Sequence, residues 1–177
     1  MKKIWNVVLM ALVALSVCNC GGDEPSNGGN GGGGNSGTDL EVTKNNLAGE
    51  WKLTAWAPEG NKADANFPDE THTVYVEFKA NGTFKLYQQN VNNPGVVLFE
   101  GNFSVNESTK VVAGIYSDGE NWGSNYKVTK LTGSTMIWCV EDGVETSTFS
   151  KEAIPAEVIS TARPAGEVRS QEIFRFL

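Results

Sequence analysis

Val111-Val-Ala-Gly-Ile-Tyr-Ser-Asp-Gly-Glu-Asn-Trp-Gly-Ser-Asn-Tyr-Lys-Val-Thr129 is the stretch that decides the fold. Its two arms alternate in polarity as half-buried strands do. Between them lies a seven-residue turn, 117–123, rich in glycine and holding a tryptophan. Asp118-Gly119 and Gly123 let the chain reverse, and Tyr116, Trp122 and Tyr126 are placed to pack over the reversal. The expectation is a strand, a tight return and an antiparallel strand, with an architectural role for the turn.

The same rhythm runs from Gly49 to Lys151. Strand patterns fall at 50–57, 73–79, 83–89, 96–105, 110–116, 124–131, 134–141 and 144–150. Asn81-Gly82 and Asp142-Gly143 are strong hairpin signals, because both residues of each pair tolerate positive φ. The longest pattern, 96–105, puts Val97, Phe99, Phe103 and Val105 on one face. No amphipathic helix interrupts the series, which excludes βαβ units. Eight strands joined by short links favour an all-β, antiparallel up-and-down meander that removes its edges by closing into a barrel. A two-sheet sandwich is the alternative.

Outside this body the chain changes character. Lys2 and Lys3 precede an apolar run, 4–17, too short to span a bilayer stably. The run ends at Cys18-Asn-Cys20-Gly-Gly-Asp-Glu24, which resembles a bacterial lipoprotein signal. The acidic motif after Cys20 is similar to the export signal of Bacteroidetes surface lipoproteins. That resemblance implies lipidation of Cys20, with Cys18 as the alternative, and residence in the cell envelope at the outer membrane, on its periplasmic face or the cell surface. Residues 21–38 are Gly- and Asn-rich, bury nothing, and would span roughly 20–25 Å as a flexible tether. The domain reading is a signal at 1–20, a tether at 21–46 ending in a short helical turn, a barrel at 47–151, and a C-terminal helix and docking tail at 152–177. In the stretch 154–163, Pro155 near a helix start and Pro164 just past a helix end predict a short helix of two turns. The tail ends Ile-Phe-Arg-Phe-Leu, too apolar to stay in water.

Charge and chemistry narrow the function. Loss of Lys2 and Lys3 with the signal leaves 12 basic against 21 acidic residues, a net charge of −9. Such a surface disfavours nucleic acid and anionic membranes, so membrane attachment rests on the N-terminal lipid. With Cys20 lipidated, Cys139 is left without a disulfide partner in the body and is expected as a small strand residue. The pairs Asp69/Glu70, Asp118/Glu120 and Glu141/Asp142 sit in predicted turns, where Asp is a turn former, rather than across a cleft. Residues 117–121 lack the alternating acids of a calcium loop. His72, the single histidine, cannot build a zinc site without other ligands. No triad, phosphate loop or dinucleotide fingerprint is present. The chain is therefore read as a non-enzyme, without metal or cofactor.

At Gly49-Glu-Trp51 the body resembles a lipocalin, a family that opens its first strand with Gly-x-Trp after a short helical turn. The stretch from Gly114 to Tyr126, together with Ile154-Pro-Ala-Glu-Val158, resembles the lipocalin-like domain of Bacteroidetes lipoproteins. The resemblance covers about 47–158 and implies a calycin-type barrel, with Trp51 plugging one end and a small-molecule pocket at the other. It also implies an arginine stacked over the first tryptophan. Residues 1–162 contain no arginine, so Arg163, Arg169 or Arg175 is expected over Trp51 or another barrel-end aromatic.

Aromatic residues on the less apolar faces, Trp56, Tyr75, Tyr87 and Tyr116, are the candidates for lining a lumen or rim, with Trp122 in its turn. Rings with polar tips suit an apolar or amphipathic ligand. The leading expectation is a membrane-tethered barrel binding such a ligand. The alternative is a filled barrel acting as an accessory subunit or inhibitor of a secreted enzyme, its partner unknown, with Trp122 in an exposed aromatic patch. A flat row of exposed rings would instead mark a carbohydrate-binding module.

Overall fold

The computed structural model describes residues 37–60, 62–64, 67–90, 93–168 and 175–177. The signal at 1–20 with Cys18 and Cys20, the tether up to residue 36, and Arg169 lie outside the described residues.

The closed end is built first in the chain. Thr43 caps the one-turn helix α1 (Lys44–Leu47), its hydroxyl accepting from the Asn46 amide at 3.2 Å. Strand β1 (Gly49–Ala57) follows at once. Trp51, fully buried, donates its indole N–H to the Leu47 carbonyl at 2.8 Å, tying helix to barrel. Gly49 has φ 139, and a Cβ there would meet Lys151 Cε at 2.4 Å. The Lys151 ammonium crosses this gap, donates to the Ala48 carbonyl at 3.0 Å and lies 5.1 Å from the Trp51 ring. The cation over Trp51 is therefore a lysine from the end of the last barrel strand, not a tail arginine. The expectation for Trp51 is corrected by that geometry.

The meander continues through β2 (Val74–Phe78), β3 (Thr83–Asn90), β4 (Asn93–Asn106), β5 (Val111–Tyr116), β6 (Tyr126–Leu131), β7 (Thr135–Val140) and β8 (Thr146–Lys151). Each pairs antiparallel with its predecessor, and β8 pairs with β1, so the eight strands close into a barrel. The closed form, rather than the sandwich, gives every one of the eight strands a neighbour on both sides. β4 changes partner along its length. Gly101 faces Phe84 of β3 and Tyr116 of β5, and a Cβ there would sit 2.1 Å from the Ile115 carbonyl oxygen. A side chain at this crossing has no room, so the barrel corner needs glycine.

The interior is filled. Trp51, Leu53, Val76, Phe78, Phe84, Leu86, Val97, Phe99, Phe103, Met136, Trp138 and Phe149 form one buried cluster with residues from the tail. Trp138 is its hub, with Phe149 at 5.0 Å edge-on and Tyr126 stacked at 4.8 Å.

After β8 comes the expected short helix, α2 (Ala156–Thr161), bounded by non-helical Pro155 and Ala162. A two-residue strand, β9 (Arg163–Pro164), then pairs parallel with β4, a pairing the sequence did not signal. The outer face of the barrel carries a second cluster in which Tyr75, Tyr87, Val96 and Ile154 are buried, with Leu98, Val158 and Ala162 packed against them. The α2 segment thus covers β2–β4 from outside.

Candidate binding site at the barrel mouth

The end of the barrel opposite Trp51 is where three of the five candidate residues converge, and two local features of the backbone put them there. The first is a bulge in β1. Leu53 pairs with Phe149 but Ala55 pairs with Thr148, so one extra residue enters the strand and its alternation inverts. Trp56, on the outer parity of the sequence pattern, is thereby turned inward, edge-on to Phe67 at 5.6 Å. The second feature is the turn after β5. The Trp122 amide donates to the Gly114 carbonyl at 3.0 Å, and the Tyr116 amide donates to Glu120 at 2.7 Å. This lays the indole flat on Gly114, where a Cβ would come within 2.1 Å of Trp122 Cε2. Trp122 is buried among Phe84 at 5.1 Å, Tyr126 at 6.1 Å and Trp138 at 6.4 Å. It is interior filling, so the exposed patch expected at Trp122 in the interaction-module reading is not there.

Tyr116 follows Val112 on the inner parity of β5 and is buried in the lumen. Tyr75 and Tyr87 go the other way. They are cross-strand partners on the outer face, in the cluster under α2, and line no lumen. Their placement on a lumen or rim is corrected: the α2 segment, not a ligand, covers their rings. Of the five candidates, the structure brings Trp56, Tyr116 and Trp122 into the interior.

The mouth is occupied by the chain itself. Phe176 and Leu177 are buried in the main core. The Phe176 ring lies 6.0 Å from Phe67 and 6.4 Å from Phe149. The Phe176 amide donates to Gln88 Oε1 at 3.0 Å, Tyr116 donates its hydroxyl to the Leu177 carbonyl at 2.5 Å, and Tyr126 donates to the Phe176 carbonyl at 3.4 Å. At the rim Arg175 pairs with Asp118 and, at 3.2 Å, with Glu120. Its guanidinium lies 4.5 Å from the Tyr116 ring and 5.4 Å from Phe99. A tail arginine does cover a barrel-end aromatic, but a tyrosine at the mouth. Burial pushes the phenols of Tyr116 and Tyr126 well above the usual tyrosine range. The Arg175 hydrogen bond holds the Asp118 carboxyl below the usual carboxylate range.

Beside this plug a cavity of about 170 Å³ is lined by Trp56, Ser124, Tyr126, Glu145, Arg175 and Phe176, among others. Deeper lies a polar row. Ser147 is the cross-strand partner of both Trp56 on β1 and Trp138 on β7. The Trp56 and Trp138 indole N–H groups and the Ser147 hydroxyl are all buried without a hydrogen-bond partner, as is the Trp122 indole. Such orphaned donors are uncommon in a folded interior.

Sequence reasoning missed Gln88 and Ser147, and it expected the tail to dock on the barrel without placing Phe176 and Leu177 inside the mouth. Two carried a signal: Gln88 shares the parity of Phe84 and Leu86, and Ser147 that of Phe149, so each is a polar residue on an apolar face. His72 lies in the loop before β2, its Nδ1 2.7 Å from Asp69 Oδ2, and Cys139 sits half-buried in β7 with Sγ 3.7 Å from the Lys127 carbonyl. Among the described residues no three His, Cys, Asp or Glu side chains cluster as metal ligands would.

Among the solved structures similar to this chain are an NMR structure of a Bacteroides uniformis protein and a crystal structure of a Bacteroides vulgatus protein. The first is 18% identical, covering 68% of this chain and 100% of that one, with a TM-score of 0.49. The second is 12% identical, covering 61% of this chain and 95% of that one, with a TM-score of 0.42. No curated protein matches the chain. The profile of the lipocalin-like domain matches residues 47–138. With Gly49-Glu-Trp51 locked under Lys151 and the eight-stranded meander closed, the chain belongs to the lipocalin-like domain family.

Proposed function

We propose that this protein is a membrane-tethered binding protein that takes a small amphipathic molecule at the barrel mouth. The observation that carries the reading is the row Trp56–Ser147–Trp138, two indole donors and a hydroxyl buried without a hydrogen-bond partner. A buried donor left unpaired costs about 1–3 kcal/mol. A ligand with an apolar body and one compact acceptor, such as a hydroxyl, carbonyl or carboxylate, would recover part of that cost. Its apolar body would lie among Trp56, Phe67 and Phe149, where Phe176 now lies. The tether reading rests on the h-region running into Cys18 and Cys20, with Cys20 as the lipid site at an outer membrane. A filled interior favours a second reading, an accessory subunit or inhibitor that engages a secreted protein through its loops.

A fluorescent fatty acid tests the first reading. It should bind saturably, one per chain, with energy transfer from tryptophan, and Trp56→Ala should weaken it at least tenfold while near-ultraviolet dichroism is retained. Absence of saturation up to about 1 mM, where binding is worth only about 4 kcal/mol, would contradict it.

A further inference from the structure

The polar groups around the tail answer a peptide backbone, not merely an apolar plug. Gln88 is 2% exposed, shares its strand face with Phe84 and Leu86, and pairs across the sheet with Val97. Its carbonyl accepts the Phe176 amide, while the Tyr116 and Tyr126 hydroxyls serve the Leu177 and Phe176 carbonyls. Three side chains from three strands thus hold three main-chain groups of the tail, the Phe176 N–H and the Phe176 and Leu177 oxygens. Phenylalanine at 116 and 126 would fill the same space, so the hydroxyls contribute nothing to packing. Side-chain specificity is built beside them. An aromatic slot between Phe67 and Phe149 takes Phe176. The rim acids Asp118 and Glu120, backed by the Tyr116 face, take a cation.

We propose that the barrel mouth recognises an extended peptide segment carrying a basic residue followed by an aromatic and an aliphatic one, and that Arg175-Phe176-Leu177 is held there as an intramolecular occupant. This rests on the reading of the mouth as the binding site and names its ligand class. A segment joined to the barrel competes at an effective concentration in the millimolar range. A free peptide therefore binds well only when the tail is displaced.

The test uses the full chain carrying R175A, F176S and L177S, titrated with acetyl-Arg-Phe-Leu-amide and with the fluorescent fatty acid. The variant should bind the peptide at least tenfold more tightly than the unaltered chain does. It should also prefer it at least tenfold over acetyl-Glu-Phe-Leu-amide, whose acid would face Asp118 and Glu120. A variant that keeps its near-ultraviolet dichroism and binds the fatty acid, but takes neither peptide or both equally, overturns the inference and leaves the mouth as a small-molecule site. A folded variant that binds neither probe class overturns both. If the tail variant does not fold, D118N/E120Q in the otherwise unaltered chain replaces it. Both acids are exposed, and their loss should speed hydrogen exchange of the Phe176 amide at least tenfold. Unchanged exchange would overturn recognition of Arg175 by the rim.

Discussion

Trp122→Ala removes the largest side chain contributed by a loop to the interior. The indole is 5% exposed and touches Phe78, Phe84, Tyr126 and Trp138 with centroid separations of 5.1–6.4 Å. It lies on Gly114, which has no side chain to expand into the space. Its N–H has no partner, so no hydrogen bond is lost with it. The expected cost is that of a buried Trp-to-Ala truncation, about 3–5 kcal/mol. Against a total stability of about 5–15 kcal/mol the barrel should still fold. For a domain of this size the melting temperature should fall by roughly 10–20 °C. Urea unfolding followed by near-ultraviolet dichroism reads the free energy, and calorimetry the temperature. A cost below about 1 kcal/mol, the size of a surface change, would refute the assignment of Trp122 to the core. Intact stability with loss of fatty-acid binding would make it a ligand contact instead.

Gly114→Ala should destabilise by about 1–3 kcal/mol, because its Cβ would meet Trp122 Cε2 at 2.1 Å. In a Trp122→Ala background most of that cost should vanish, and a double-mutant cycle measures the coupling. Trp51→Phe should cost about 1 kcal/mol or more in urea unfolding, since it forfeits the hydrogen bond to Leu47 along with part of the indole's packing. The pH profile should be two-sided. Asp118 is depressed by its hydrogen bond from Arg175, so its contribution to tail docking is present above the ordinary aspartate value of about 3.9 and is lost as pH falls through the lower docked value. Tyr116 and Tyr126 are raised by burial, so stability should fall as pH rises above the ordinary phenol value of about 10. Hydrogen exchange of the Phe176 amide reads the acid limb, and unfolding by dichroism the alkaline one. Cys20→Ala should abolish lipid labelling and release the protein from the membrane fraction, whereas Cys18→Ala should leave both intact.

The barrel was legible because its information is local. Alternation placed Val97, Phe99 and Phe103 on one face, and Asn81-Gly82 fixed a return in which the Asn81 carboxamide accepts from the Thr83 amide at 3.0 Å. The site was less legible because one inserted residue inverts a strand. The bulge between Leu53 and Ala55 carries Trp56 inward, and a second, between Val128 and Lys130, keeps Leu131 inside. Parity counted along the sequence cannot see either, because a bulge is defined by the neighbouring strand. Tyr75 and Tyr87 were misplaced for a related reason. They do lie on the outer face, but the α2 segment covers that face, and its docking is a long-range fact. The cation over Trp51 fell to Lys151 because Gly49 leaves a gap at the nearest strand end, and a lysine stem already lies across it.

The mouth as a binding site is the centre of this account. Native mass spectrometry of the protein, purified from its host without unfolding, tests it most directly. The account predicts a population carrying extra non-covalent mass, released on denaturation, reduced by Trp56→Ala and enlarged in the R175A/F176S/L177S variant. The bare chain as the sole species, in both the unaltered protein and the R175A/F176S/L177S variant, would contradict it.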